Sequence, residues 1–275
     1  MLQVEGEPLD RSERRAEFVE TLAKGLAVLE SFDAMHPEMT LTEIARRVNA
    51  SPAAVRRSLI TLTALGYVGQ SGKRFHLRPK VMSLGSAFYF SARIDALMLP
   101  HVRHIVETFG DASSVATLDG HDVIYIAHKS RQRARRASAI AGARYPAHAT
   151  SMGRVLLAGL PDDALEAYFE TVKPQALTSL TVTCVGELRK IIAKVRRTGY
   201  ATTVDQLDYG ITALAVPIRS PEGVTVAALN SSGYTGLVTP EQMIAERLTE
   251  LRITATRIAE SIIRYPVLAS ALFRN

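Results

Sequence analysis

Cysteine is nearly missing from this 275-residue chain: Cys184 stands alone. One thiol closes no internal disulfide, and no Cys or His lies near it at metal-ligand spacing. Neither a disulfide framework nor a metal site is therefore expected, and a reducing compartment is. No run approaches the roughly 18–20 consecutive apolar residues that a membrane span needs. Residues 1–17 (MLQVEGEPLDRSERRAE) lack the apolar stretch of a secretory signal and read as a flexible N-terminus. Together these absences predict a soluble cytoplasmic protein without a membrane partner. Also missing are a Gly-x-Ser-x-Gly elbow, a phosphate loop and a dinucleotide fingerprint, so no cofactor is expected and enzyme chemistry has little to start from.

Acids are scarce in one place. Residues 41–80 carry eight Lys/Arg (Arg46, Arg47, Arg56, Arg57, Lys73, Arg74, Arg78, Lys80) against Glu43 alone. The whole chain is only +6, so the remainder is close to neutral. A positive field confined to one short segment is the footprint of a phosphate-binding surface. The rest of the composition, 47% hydrophobic and 22% charged, is that of a globular protein with room for two domains.

The basic segment has a readable local structure. Phe18–Phe32 sets Phe18, Leu22, Leu26 and Leu29 on one helical face, with Val19, Ala23 and Val28 beside it. The stretch DAMHPEM then reads as a loop. Thr40-Leu-Thr-Glu43 fits a capping box opening a short helix, Leu41–Val48, with Leu41, Ile44, Ala45 and Val48 at i, i+3, i+4 and i+7. Asn49-Ala50 makes a turn, and Ser51-Pro52 restarts a helix with an N-cap followed by proline at its first position. This second helix, Pro52–Leu65, buries Val55, Leu59, Leu62 and Leu65, leaving Ala53, Ala54, Arg56, Arg57 and Thr61 outward. Small residues allow close approach to a groove, and arginine can clamp a phosphate or bind guanine through two donors. After Gly66, YVGQSGKRFHLRP reads as a hairpin about Ser71-Gly72, a basic wing carrying Lys73, Arg74 and His76. A solvated basic face would explain any one arginine pair. Helix–turn–helix, caps, hairpin and confined charge together predict a winged helix-turn-helix over residues 18–79, with Ser51, Ala53, Ala54, Arg56, Arg57, Thr61, Lys73 and Arg74 facing double-stranded DNA.

Residues 80–109 read as a helical linker, with Pro100 kinking it or opening a new helix and Leu97, Met98 and Leu99 as its apolar side. His101 and His104 lack acidic or Cys companions and read as surface histidines. From Ser113 the period changes. SVATL, DVIYIAH, RASAI, YATTV, TALAVPI and TVAALNSS alternate as strands, separated by turns at Asp119-Gly120 and Pro221-Glu222-Gly223. Helical patterns cover Met152–Leu160, Asp162–Phe169, Glu187–Thr198 and Pro240–Ile263. Residues 110–275 are thus expected to be α+β, one mostly antiparallel sheet with helices packed on it.

Two stretches of the second half invite chemistry. In ATSMGR, Thr150 or Ser151 caps a helix whose first amides, at Ser151, Met152 and Gly153, are suited to an anion such as an effector carboxylate. An ordinary capped helix packing on a sheet is the plainer reading. In RQRARR (Arg131–Arg136), four arginines in six residues could hold an anion or a second stretch of DNA, but read more simply as a solvated loop tip. His148, Ser151 and Asp205 contain the residue types of a hydrolase triad, without the elbow that normally presents the serine.

At this point the chain resembles a known family. LAKGLAVLESF, MTLTEIARRVNASPAAVRRSLITLTALGYV and GKRFHLRPKVMSLGSAF are similar to the DNA-binding half of the IclR family of bacterial transcriptional regulators. PAHATSMGRVLLAGL (Pro146–Leu160) and LAVPIRSPEGVTVAALNSSG (Leu214–Gly233) are similar to its effector half. The resemblance covers most of the chain beyond residue 17, in family order, and is nearest to regulators of aromatic-acid breakdown through the β-ketoadipate pathway, whose signals are typically protocatechuate or 4-hydroxybenzoate. It implies a GAF-like effector domain, dimers or tetramers, a palindromic operator, no catalysis, and an effector set among Ser151, Met152, Gly153, Asp205, Tyr209, Ile211, Ala213 and Ser231. The loop VDQLDYG departs from the family pattern: it is a residue shorter, with Tyr209 where Glu is common and Thr212 where Arg is common. A different catabolic pathway with a non-aromatic effector is the alternative within the family.

Overall fold

A computed structural model describes residues 18–131 and 139–272. The chain divides into two compact units, one ending at Ser86 and the other beginning at Ala87.

The first unit runs α1 (Glu20–Glu30), β1 (Glu38–Thr40), α2 (Leu41–Arg47), α3 (Pro52–Ala64), β2 (Val68–Ser71) and β3 (Arg74–Leu77), with the strands ordered β1-β3-β2, all antiparallel. It is a winged helix-turn-helix. The capping box forms as its residue types dictate: the Glu43 side chain accepts from the Thr40 amide at 2.7 Å and the Glu43 amide donates to Thr40 Oγ1 at 3.4 Å. Asn49 takes the left-handed conformation at the turn, and Ser51 caps α3 with Pro52 at its start. Val28, Leu29, Met39, Ile44, Val55, Leu59, Leu62 and Val68 build the core. Three expectations change. DAMHPEM is only partly loop, because Glu38 and Met39 join Thr40 in β1, where Met39 is buried in the core. Phe18, Leu22 and Leu26 are exposed, so the inner face of α1 narrows to its last turn. Leu65 caps the end of α3 and is exposed rather than buried.

A turn of 3-10 helix at Pro79–Val81 leads to α4 (Met82–Ser91), α5 (Ile94–Leu97) and α6 (Leu99–Phe109). The expected linker is therefore divided. Ile94, Leu97, Met98, Val102 and Ile105 lie in the second unit's core, so residues 94–109 are part of that unit's body. Pro100 sits in the first turn of α6, where its missing N–H costs nothing.

The second unit continues with β4 (Ala112–Asp119), β5 (Asp122–Ser130), β6 (Arg144–Pro146), α7 (Ser151–Ala158), α8 (Asp162–Thr171), α9 (Val185–Thr198), β7 (Ala201–Val204), β8 (Ile211–Arg219), β9 (Thr225–Tyr234), α10 (Pro240–Ile263) and α11 (Pro266–Leu272). Six antiparallel strands form one sheet in the order β6-β5-β4-β9-β8-β7. On one face, Val115, Leu214, Val216, Ile218 and Leu229 pack against Val102 and Ile105 of α6 and Leu251, Ala255 and Ile258 of α10. On the other, Ala116, Tyr125, Ala215 and Ala228 meet Met152, Val155 and Leu156 of α7, with Leu165, Phe169, Leu188 and Ile192 from α8 and α9. The expected α+β layering is present. Of RASAI, Arg136–Ser138 lie outside the described residues, and Ala139-Ile140 form no strand; β6 and α11 were not foreseen. Among the described residues, no helix is long and apolar enough to cross a membrane.

Candidate functional site

The outer surface of α3 is built by a simple division. Val55, Ser58, Leu59 and Leu62 face the core, which leaves Ala53, Arg56, Arg57, Ile60 and Thr61 exposed, with Ala54 half-buried. Ser51 spends its hydroxyl on the Ala54 amide (3.3 Å) and Thr61 donates to the Arg57 carbonyl (3.1 Å). An open groove of about 850 Å³ separates α3 from the hairpin, bordered by Thr40, Arg56, Ile60, Thr63, Gln70 and Lys73. The turn of that hairpin uses Gly72 at φ 59°, a conformation side chains resist, and sets the exposed Lys73 at its tip. Two basic residues differ from this pattern. Arg74 lies beside the carboxylates of Glu38 (3.5 Å) and Glu43 (3.9 Å) and donates to the Glu38 carbonyl (3.3 Å), so it is tied within the sheet of its own unit. Arg47 pairs with Asp33 (2.6 Å) and donates to the Ser31 carbonyl (3.0 Å), holding the α1–β1 connection.

The second candidate site lies on the α7 face of the sheet, and strand pairing defines its floor. One row across the sheet reads Ala201, Ala215, Asn230, Ser114 and His128; the next row on the same face reads Thr203, Ala213, Ser232, Ala112 and Ser130. Apart from Asn230 and His128, these side chains are small. Polar groups are interlocked: Ser114 Oγ meets His128 Nδ1 at 2.8 Å and the Ser114 amide donates to Asn230 Oδ1 at 2.7 Å. Burial, helped by the Lys129 charge, lowers the pKa of His128 and favours its neutral form. Tyr125 lies edge-on to Tyr145 (5.0 Å between centroids) and tilted to His128 (6.4 Å), and burial pushes the Tyr125 phenol well above its ordinary pKa.

Pairing also corrects the expected residue set. Because alternate residues of a strand face opposite ways, Ala213 and Ile211 fall on the α7 face but Ser231 falls on the other. There Ser231 Oγ accepts from Arg247 Nη1 at 2.9 Å, and Arg247 Nη2 pairs with Asp111 at 3.0 Å. Asn230 and Ser232 are the neighbours that face α7, and only the register reveals it.

At α7, Thr150 is the N-cap, accepting from the Gly153 amide at 2.9 Å. Ser151 and Met152 are buried beneath it. Gly153 is needed for packing rather than for ligand access: a Cβ there would lie 2.1 Å from the Ala147 carbonyl oxygen. Asp205 is a loop staple at φ 53°, its Oδ1 accepting from the Gly210 amide (2.6 Å), the Ile211 amide (3.1 Å) and Thr235 Oγ1 (2.7 Å). Tyr209 is half exposed; its hydroxyl accepts from the Ser179 amide (2.9 Å) and donates to Ser179 Oγ (3.0 Å), which lowers its pKa.

Residues missed by sequence reasoning gather here. Residues 172–184 run without helix or strand and form a strap fastened to the β7–β8 loop. Thr178 Oγ1 donates to the Asp205 carbonyl and Thr181 Oγ1 to the Gln206 carbonyl, each at 2.6 Å. Gln206 Oε1 accepts from the Val182 amide (3.4 Å) and from Arg154 Nη2. Arg154 is 2% exposed, and its Nε donates to the His148 carbonyl at 3.0 Å. Among the described residues no carboxylate forms an ion pair with it. Loss of solvent lowers its pKa to about 10, offset only by the charge of Glu187.

The arrangement assembles no hydrolase triad. His148 Nε2 faces the Gln175 carbonyl (3.1 Å), burial lowers the His148 pKa, and Asp205 is committed to its loop. Neither does it assemble a metal site, since no cluster of three His, Cys, Asp or Glu side chains occurs among the described residues, and His104 meets Glu250 alone. Of Arg131–Arg136, all but Arg131 lie outside the described residues.

Comparison with known proteins agrees with this two-unit fold. Residues 88–260 match the family described as bacterial transcriptional regulator IclR C-terminal, and residues 21–72 match the IclR helix-turn-helix domain. The chain is 35% identical over 242 residues to the Pca regulon regulatory protein of Pseudomonas putida, covering 88% of this chain and 83% of that one. It is 31% identical over 250 residues to the p-hydroxybenzoate hydroxylase transcriptional activator of Acinetobacter baylyi (strain ATCC 33305 / BD413 / ADP1), covering 89% and 92%. Its fold is similar to the crystal structure of an IclR homolog from Microbacterium hydrocarbonoxydans complexed with 4-hydroxybenzoate, at TM-score 0.68 and 25% identity over 89% of this chain and 99% of that one.

Proposed function

The chain belongs to the IclR family of bacterial transcriptional regulators, and on that premise we propose that it controls an aromatic-acid catabolic operon in response to a small hydroxylated aromatic carboxylate bound on the α7 face. One observation carries the reading: a floor of Ala213, Ser114 and Ser232 lies on the same sheet face as Tyr125 and His128, and Tyr145 stands edge-on to Tyr125, so a flat polar ring has both a surface to lie on and rings to meet. The 4-hydroxybenzoate held by the Microbacterium hydrocarbonoxydans homolog supports the same chemistry. The start of α7 at Ser151 and Met152 offers the carboxylate its positive end.

In the first unit, Arg56, Arg57, Ala53 and Thr61 meet base edges and phosphates in the major groove, Lys73 meets phosphate from the wing, and Ser51 serves by capping the reading helix. The chain acts in the cytoplasm as a dimer or tetramer on a palindromic operator, since a two-fold protein doubles its contacts on a two-fold site; the exposed Phe18, Leu22 and Leu26 of the α1 segment are apolar surface available for self-association. The effector shifts DNA affinity by as much as it prefers one arrangement of the assembly over another.

The test is selection of genomic fragments by the purified full chain, with and without hydroxybenzoates at millimolar concentration. Enrichment of fragments upstream of aromatic-degradation genes, altered by one acid, is the expected result. Specific fragments unmoved by every aromatic acid would transfer the reading to a non-aromatic effector and another pathway. An absence of specific fragments at low salt would overturn it.

A further inference from the structure

The buried guanidinium of Arg154 has no use in the fold that matches its cost. A cation taken out of water is stable only with compensating charge or a complete set of acceptors. The structure supplies two neutral oxygens, the His148 carbonyl and Gln206 Oε1, and Glu187 only at a distance. The helix around Arg154 is fully packed by Val155, Leu156 and Leu157, so filling the core needs no arginine there. Gln206 is itself shared: the same Oε1 accepts from the Val182 amide of the strap, while the Gln206 carbonyl accepts from Thr181. An amide oxygen is the neutral counterpart of a carboxylate oxygen, with the same geometry of acceptance and no charge.

Resting on the reading that this domain binds a small acid, we infer that Arg154 is the receptor for the effector's carboxylate and that Gln206 Oε1 is a placeholder the carboxylate displaces. The ligand class is then an anion with two coplanar oxygens, which the guanidinium fork binds through two charge-assisted hydrogen bonds. Displacement frees Gln206 from Arg154 and removes the strap's acceptor at Val182, so the arrival of the acid is transmitted to residues 177–182 through one side chain. Ser151 and the amides of α7 then position the acid, while Arg154 supplies the charge that discriminates it from neutral rings.

The experiment is calorimetric titration of the full-length chain with 4-hydroxybenzoate, 3,4-dihydroxybenzoate and pyruvate, and with 4-hydroxybenzamide as the neutral isostere. The wild type is expected to bind an acid at least tenfold more tightly than the amide. Gln206→Glu places a permanent carboxylate on Arg154 and is expected to weaken the acid at least tenfold while raising the thermal midpoint, an outcome that misfolding cannot mimic. Gln206→Ala removes the competitor and is expected to tighten the acid several-fold. If 4-hydroxybenzoate and its amide bind alike, or Gln206→Glu binds the acid as the wild type does, the inference is overturned while the effector reading stands. If the wild type binds none of the acids, the effector reading falls and this inference falls with it.

Discussion

Gly153 lies directly against Ala147, so closely that a Cβ would come within 2.1 Å of its carbonyl oxygen and 2.4 Å of its Cα. Both contacts are backbone, and the turn Ala147–Ala149 has its three residues buried, so the clash has no flexible neighbour to absorb it. Gly153→Ala is expected to destabilise the second unit by about 1–3 kcal/mol, the range for forcing extra volume into a packed site. Chemical denaturation followed by circular dichroism measures it, and an unchanged midpoint would refute the packing role.

Two arginine ion pairs on the same unit carry unequal weight. Arg247 pairs with Asp111 with side-chain exposures of 7% and 23%, whereas Arg189 and Glu166 are exposed by 42% and 53%. Removing one partner of a buried pair strands the other charge, so Asp111→Ala is expected to cost about 3 kcal/mol. Glu166→Ala is expected to cost far less, because both partners stay in water and the pair is screened. Equal losses in the two variants would contradict the account.

The capping box of α2 gives a pH-dependent term. Hydrogen bonds from the Thr40 amide and hydroxyl hold the Glu43 carboxyl below its ordinary pKa, with help from Arg74 and Arg46. A depressed carboxylate stabilises the fold above its unfolded pKa, and that contribution is lost as pH falls through the lowered folded value. Thr40→Ala is expected to cost about 0.5–2 kcal/mol at neutral pH and less in acid. A cost that grows as pH falls would have the wrong sign.

On DNA, Arg57 and Arg74 are predicted to separate. Arg57 is exposed on the outer side of α3, and Arg57→Ala is expected to weaken specific binding by about 1–3 kcal/mol with little effect on random sequence, as for a base contact. Equal losses on both DNAs would make it a phosphate contact. Arg74→Ala is expected to leave the salt dependence of binding nearly unchanged, because its guanidinium already faces Glu38 and Glu43.

How much of this was legible in the sequence depended on whether a feature is local. The Thr40–Glu43 box, the Ser51-Pro52 start and the Pro240–Ile263 helix were legible because caps and helical period are set by residues within a few positions. Glu38–Thr40 was not, since a three-residue edge strand is defined by its partner Arg74–His76 rather than by its own pattern. Ser231, which the resemblance placed in the effector set, lies on the opposite face from α7, because a one-residue difference in register reverses a side chain and register comes from β8 and β4. Arg154 and Gln206 lie 52 residues apart, and nothing in either neighbourhood announces the other. Tyr209 is conspicuous in sequence as a ring, yet its hydroxyl on Ser179 joins Thr178, Thr181 and Gln206 in holding the strap.

A small aromatic acid bound by the second unit is expected to change what the first unit does on DNA. The direct measurement is occupancy of one selected operator fragment by the full-length chain across a titration of 4-hydroxybenzoate and 3,4-dihydroxybenzoate at fixed salt. A saturable change of at least fivefold in operator affinity is expected with one acid, and none with the neutral amide. Operator binding that is tight, specific and indifferent to every acid would contradict it.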